Sequence, residues 1–176
     1  QTGRVFSFEP VPANYERLVG NIGRNGFGHV IATRAALSNR AGKTTLFLDS
    51  RNFGNPSLAA GNIPDRAGQI DVETLTLDQF WTERMGRATV HVIKMDTQGA
   101  EGLVLEGASL LLRECRPVIL MEFWPRGLQN LGSSAEKLLA DLESLGYTAT
   151  IPGKDDSSQR RRTSDEIMEF HRTMKN

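Results

Sequence analysis

Val90-His91-Val92-Ile93-Lys94-Met95-Asp96-Thr97-Gln98-Gly99-Ala100-Glu101 is the stretch that decides the fold. Val90 to Ile93 is nearly continuous apolar sequence, and the run closes at Met95 on an acid, Asp96. Strands without polar alternation are covered on both faces, which points to a parallel sheet between helices. Val118-Ile119-Leu120-Met121, closed by Glu122, has the same form. Between the two lies a helical segment, roughly 99 to 114. His91, inside the first run, reads as a hydrogen-bonded core histidine, and Cys115 as a small buried hydrophobe.

Towards the N-terminus, residues 70–75 read as a strand. Thr76-x-x-Gln79 then has the capping-box form and starts a helix with Leu77, Phe80 and Trp81 inward. Residues 50–69 hold Gly54, Pro56, Gly61, Pro64 and Gly68 and read as one long loop, a length typical of lids or binding loops. Strands are expected at 44–49, after a turn at Ala41-Gly42, and at 29–33. The first strand, 4–9, is stopped by Pro10. Pro12 suits a first helical turn, with Tyr15, Leu18, Val19 and Ile22 on one face and Asn25-Gly26 as the stop.

Towards the C-terminus, Ser133-x-x-Glu136 caps a helix with Leu138, Leu139, Leu142 and Leu145 inward, ended by Gly146. Residues 147–151 read as a strand and 154–162, with Arg160-Arg161-Arg162, as a solvated linker. Thr163-x-x-Glu166 caps a short last helix carrying Ile167, Phe170 and Met174. Strand and helix alternate throughout, the α/β layout. The expected organisation is one domain over 1–152, then a polar linker and short helix over 153–176.

Composition narrows the function. The 176 residues include 21 Lys+Arg and 21 Asp+Glu, so a broad electrostatic grip on nucleic acid or an anionic membrane is not expected. No apolar run is long enough to span a bilayer. A single cysteine, with no visible signal peptide, fits a reducing cytoplasm. Gly42-Lys43-Thr44 resembles the end of a phosphate loop, but Leu37 stands where that loop needs glycine. His29, His91 and His171 are far apart, so no metal site is expected. No G-x-S-x-G elbow exists.

What remains is three acids at strand ends: Glu9, Asp96 and Glu122. Ligands of open parallel sheets bind beyond the carboxyl ends of the strands, and a carboxylate there suits ribose hydroxyls. Gly99 would let backbone approach a ligand, and Glu101 falls in the first helical turn, where the helix dipole favours an acid. A plain strand-to-helix turn with a capping acid has the same spacing. Trp124-Pro125 lines an acceptor pocket or packs as an aromatic at a turn; the second reading is the better supported.

Val5-Phe6-Ser7-Phe8-Glu9-Pro10-x-Pro12-x-Asn14, then Leu18, Asn21 and Asn25, resembles the FkbM-type family of S-adenosylmethionine-dependent methyltransferases. Ala36-Leu37-Ser38, Leu75-Thr76-Leu77-Asp78, the block Ile93 to Glu101 and Arg116 to Glu122 continue the likeness in order. The commonest family form has Val-Glu where Thr97-Gln98 stands. The resemblance implies a Rossmann-like class I methyltransferase sheet, mostly parallel with helices on both faces, using S-adenosyl-L-methionine to methylate a hydroxyl on a sugar or secondary metabolite. Glu9 and Pro10 match the cofactor-ribose segment, Ala36 and Leu37 the adenine-side loop, and Asp96 the acid beside the methionine end. Asp96, Glu101 and Glu122 are the candidate bases, with Lys94 an electrostatic helper.

The resemblance also implies a first strand and glycine loop upstream of the segment matching Arg4 to Glu9, and the sequence begins at Gln1. Without that central strand, the strands at 5–9 and 90–95 are expected to leave unpaired backbone and to promote oligomers or strand exchange. The competing expectation is a non-catalytic methyltransferase-like module for binding or assembly. The expected partner of the enzyme is a small-molecule hydroxyl acceptor.

Overall fold

The computed structural model describes residues 3–52, 54–152 and 161–173. β1 (Val5–Phe8) runs parallel to β2 (Val30–Thr33), with Val5 opposite Val30 and Phe8 opposite Thr33. α1 (Pro12–Arg24) joins them, with Pro12 in its first turn. There its missing N–H leaves no bond unmade. Tyr15, Leu18 and Ile22 are half-buried on one face, but Val19, expected with them, is exposed.

β3 (Ala36–Leu37) pairs parallel with β5 (Arg66–Leu75), and β4 (Gly42–Asp49) pairs antiparallel with β5. These form an arm with its own small cluster of Ala36, Leu46 and Val72. The loop after β4 is shorter than expected, because a 3-10 turn at Ala60–Asn62 interrupts it and β5 begins at Arg66. β6 (Val92–Met95) pairs parallel with β7 (Val118–Met121) in register, Met95 opposite Met121.

The class is therefore α/β. Among the described residues, however, the strands form three separate sheets of two, three and two strands, one of them mixed. β1 pairs only with β2, and β6 only with β7. Among the described residues, the other edges of β1 and β6 are unpaired. The expectation that the apolar strands are covered on both faces fails. Val92 is 62% exposed, Val118 69% and Leu120 52%, because none of the described residues packs over one face of β6–β7. His91 is likewise exposed, not in the core, since the strand starts only at Val92.

The other face of that sheet meets the main core. α2 (Leu77–Met85), α3 (Glu101–Glu106), α4 (Ser109–Cys115), α5 (Pro125–Gln129), α6 (Ala135–Ser144) and α7 (Ser164–Thr173) supply Trp81, Val104, Leu111, Leu112, Leu128, Leu138, Leu139 and Ile167 to it. Each such aliphatic side chain contributes about 1.5–3 kcal/mol on burial. Cys115 is half-buried against this cluster. The Thr76 hydroxyl accepts from Gln79 N–H at 3.1 Å, but Gln79 turns outward to Glu83, so only half of that capping box forms.

The helix expected over 99–114 is broken at Gly107. A Cβ there would lie 2.2 Å from the Ser38 carbonyl oxygen, and Gly107 O instead accepts from Asp78 N–H. Asp78 then caps α4 from outside it, accepting from the N–H groups of Leu110 (2.9 Å) and Leu111 (2.8 Å).

α6 is capped by Ser134, not Ser133: its hydroxyl accepts from Lys137 N–H at 3.0 Å. Residues 147–151 form no strand, only a single bridge from Ala149 to Arg162. The last helix has both halves of its box, Thr163 N–H to Glu166 and Glu166 N–H to Thr163. Phe170 is 38% exposed, whereas α7 buries Ile167. The linker expected at 154–160 and Met174 lie outside the described residues. No helix of the described residues is long and apolar enough to cross a membrane.

Candidate functional site

A cleft of about 820 Å³ opens between β1 and β6. That is ample for a nucleoside-sized ligand, whose pockets run to several hundred Å³. Its base is apolar: Phe8 and Phe80 meet edge to face at 4.8 Å, beside Met95 and Val104. The arm supplies a third wall through Leu46, Pro56 and Leu58.

Glu9 stands at the end of β1. Its Oε1 accepts from Val11 N–H at 2.8 Å, across the entry to α1. Burial raises its pKa above the usual 4.5, and the Val11 N–H offsets part of that rise. Oε2 has no hydrogen-bond partner among the described residues and is available to a ligand. Pro10, Ala36 and Leu37 also line the cleft. Ala36 and Leu37 do so as the short strand β3, where the family resemblance implied a loop.

Asp96 stands across the cleft at the end of β6. Gln98 Nε2 donates to its Oδ1 at 2.8 Å, and Lys94 Nζ lies 3.6 Å from its Oδ2. The Lys94 and Asp96 side chains are 63% and 49% exposed, so the ion pair is screened and contributes little to stability.

The remaining two acids lie behind this wall. Glu122 N–H donates to Met95 O at 3.4 Å, so Glu122 sits beside Asp96 in register on the next strand. Its pKa is raised, first by burial and then by the charges of Asp96 and Glu101, with Lys94 opposing. Neither Glu122 nor Glu101 lines the cleft. Glu101 is 1% exposed, its Oε1 accepts from the Thr97 N–H and hydroxyl, and its Oε2 is buried with no partner. No three His, Cys, Asp or Glu side chains among the described residues are gathered as metal ligands.

A smaller cavity of about 260 Å³ lies between α3, α4 and α6 around Lys137. None of the strand-end acids reaches it, so it is not the site.

The sequence pattern of the methyltransferase FkbM domain matches residues 1–149. The chain belongs to the FkbM methyltransferase family. Comparisons with curated proteins and with solved structures give no match.

For an FkbM methyltransferase domain the placements sort cleanly. Glu9, Pro10, Ala36, Leu37, Lys94 and Asp96 share one cleft; Glu101 and Glu122 back it. Trp124 lies outside the cleft lining and packs on Gly127, where a Cβ would lie 2.3 Å from the indole ring. Gly99 has φ +96°, and what approaches it is protein: a Cβ there would lie 2.6 Å from Asn62 Nδ2 and from the Gly127 carbonyl. Sequence reasoning missed Ser57 and Asn62 altogether. The only signal of them was the length of the loop that carries them.

Proposed function

We propose that this FkbM-family domain is an S-adenosyl-L-methionine-dependent O-methyltransferase acting on a hydroxyl of a sugar or secondary metabolite. The observation that carries the reading is the pairing of Glu9 and Asp96 on opposite walls of one apolar-based cleft. Glu9 fits the ribose of the methyl donor: one oxygen is held by Val11 N–H, and the other is free to accept from a hydroxyl. Ala36, Leu37 and Leu46 suit the flat apolar face of a purine. Asp96 suits the cationic methionine end. When bound, S-adenosyl-L-methionine supplies an electrophilic methyl group on a sulfonium.

The chain's own residues then have defined tasks. Of the three candidate bases, Asp96 alone lines the cleft, so it orients the acceptor hydroxyl and takes its proton. Lys94 pairs with Asp96 and limits the negative charge gathered there. Glu122 and Glu101 set the field behind it. Leu58 and Pro56 exclude water from the acceptor side.

The lone Cys115 supports a reducing, cytoplasmic setting, and the balanced charge supports a small-molecule partner over nucleic acid or membrane. The test is calorimetric titration of S-adenosylhomocysteine into the protein, with Glu9→Ala as control. Micromolar binding weakened at least tenfold by the substitution supports the reading; no binding by the wild type overturns it in favour of a non-catalytic module.

A further inference from the structure

We propose that Asn62 is a positioning residue of this site, holding the Gln98–Gly99 peptide so that the Gln98 side chain fixes the Asp96 carboxylate. The inference rests on the cleft reading above but is carried by a separate set of contacts. Asn62 is 4% exposed and Ser57 is fully buried. The Asn62 amide group donates to Gln98 O at 2.9 Å, to Ser57 Oγ at 3.0 Å and to Gly127 O at 3.3 Å. Its Oδ1 accepts from Asn130 Nδ2 at 2.7 Å. Ser57 Oγ donates to the same Gln98 O at 2.8 Å and accepts from Ala59 N–H. Three carbonyl or hydroxyl acceptors on one side and an amide donor on the other fix which way the Asn62 amide faces.

The network holds a conformation the backbone would otherwise avoid. Gln98 has φ +52° and Gly99 φ +96°, both in the left-handed region. A non-glycine residue stays there only when its surroundings over-determine it. Two donors on Gln98 O, with Gly127 and Asn62 packed against Gly99, do this. The reversed peptide turns the Gln98 side chain back on its own strand, where Nε2 meets Asp96 Oδ1 at 2.8 Å. The chain of cause therefore runs from the loop after β4, through one backbone carbonyl, to the acid in the cleft. Buried networks with every member satisfied are rigid, and losing one member leaves the others unpaired.

The test uses Asn62→Asp and Asn62→Ala in the full chain, with Ser57→Ala as the milder variant should these fail to fold. Ser134→Ala, which removes the cap of α6, a helix with no residue lining the cleft, is the control for destabilisation. Amide hydrogen exchange at Thr97 and Ala100, whose N–H groups are bonded to Glu101 Oε1 and Thr97 O on either side of the held peptide, and affinity for S-adenosylhomocysteine are read together. The expected result is exchange at those two amides at least tenfold faster in the Asn62 and Ser57 variants, with affinity down about tenfold. The control is expected to leave local exchange and affinity unaltered at comparable global stability. Unaltered exchange at Thr97 and Ala100 in the variants overturns the proposal, as does an equal response in the control. If the wild type binds no S-adenosylhomocysteine, the functional reading fails, and the exchange data alone decide whether Asn62 holds the turn.

Discussion

One carboxylate oxygen of Glu101 accepts two bonds from Thr97, from its N–H and from its hydroxyl, each at 2.9 Å. The contact closes the strand-end turn on itself and anchors the first residue of α3. Removing the acceptor orphans an N–H in a site where Glu101 is 1% exposed, and an unpaired buried group costs about 1–3 kcal/mol. Glu101→Ala is therefore expected to lower unfolding stability by about 2–3 kcal/mol. Thr97→Val keeps the N–H bond and is expected to cost about 1 kcal/mol. Urea denaturation of the two variants checks the order.

Glu9 makes stability depend on pH in a definite direction. Burial raises its folded pKa above the usual 4.5, so the folded state holds the proton more tightly than the unfolded chain. The stability this contributes is fully present below 4.5 and is lost as pH rises through the folded pKa. Glu9→Gln can still accept from Val11 N–H and carries no charge to desolvate. Its melting temperature relative to wild type is expected to rise from pH 4 to pH 7.5, while S-adenosylhomocysteine affinity falls. A difference that stays flat across that range would contradict the assignment.

Asp78 caps a helix to which it does not belong. Its two oxygens serve the Leu110 and Leu111 N–H groups. Asp78→Ala is expected to destabilise by about 1–2 kcal/mol, the range for loss of a helix cap. Asp78→Asn, which keeps one acceptor, is expected to recover roughly half of that loss in the same thermal melts.

The unpaired edges of β1 and β6 and the bare face carrying Val92, Val118 and Leu120 predict self-association. Light scattering at increasing concentration is expected to give a mass above 19.4 kDa. Leu120→Lys, on the exposed face, is expected to shift the distribution towards monomer. A monomer at every concentration would remove this expectation.

Legibility followed the range of the forces involved. β6, β7 and the acids that end them were readable because an unbroken apolar run such as Val118 to Met121 favours extended backbone locally whatever covers its faces, and Thr163-x-x-Glu166 because a capping box is closed within four residues. The break at Gly107 was not readable, since it is imposed by the backbone of Ser38, far away in sequence. Ser133 drew the cap assignment because Glu136 stands three residues on, whereas the hydroxyl used is that of Ser134. Of the site, the residues at strand ends were visible as a pattern. Asn62 was not, because its partners at 57, at 98 and at 127 and 130 come from three separate segments.

The arm of β3, β4 and β5 has its own apolar cluster, and a small one: Ala36, Leu46 and Val72. So little oil cannot make it a second independent folding unit. Its loops tie it to the rest of the molecule by polar contacts, Ser57 and Asn62 to Gln98 O and Asn39 to Glu106, so the arm is expected to detach without melting the whole. Guanidinium or a few degrees of heat below the main transition should loosen it first. A wall of the cleft would then swing away from an otherwise intact core, and loss of ligand binding would precede loss of helix content.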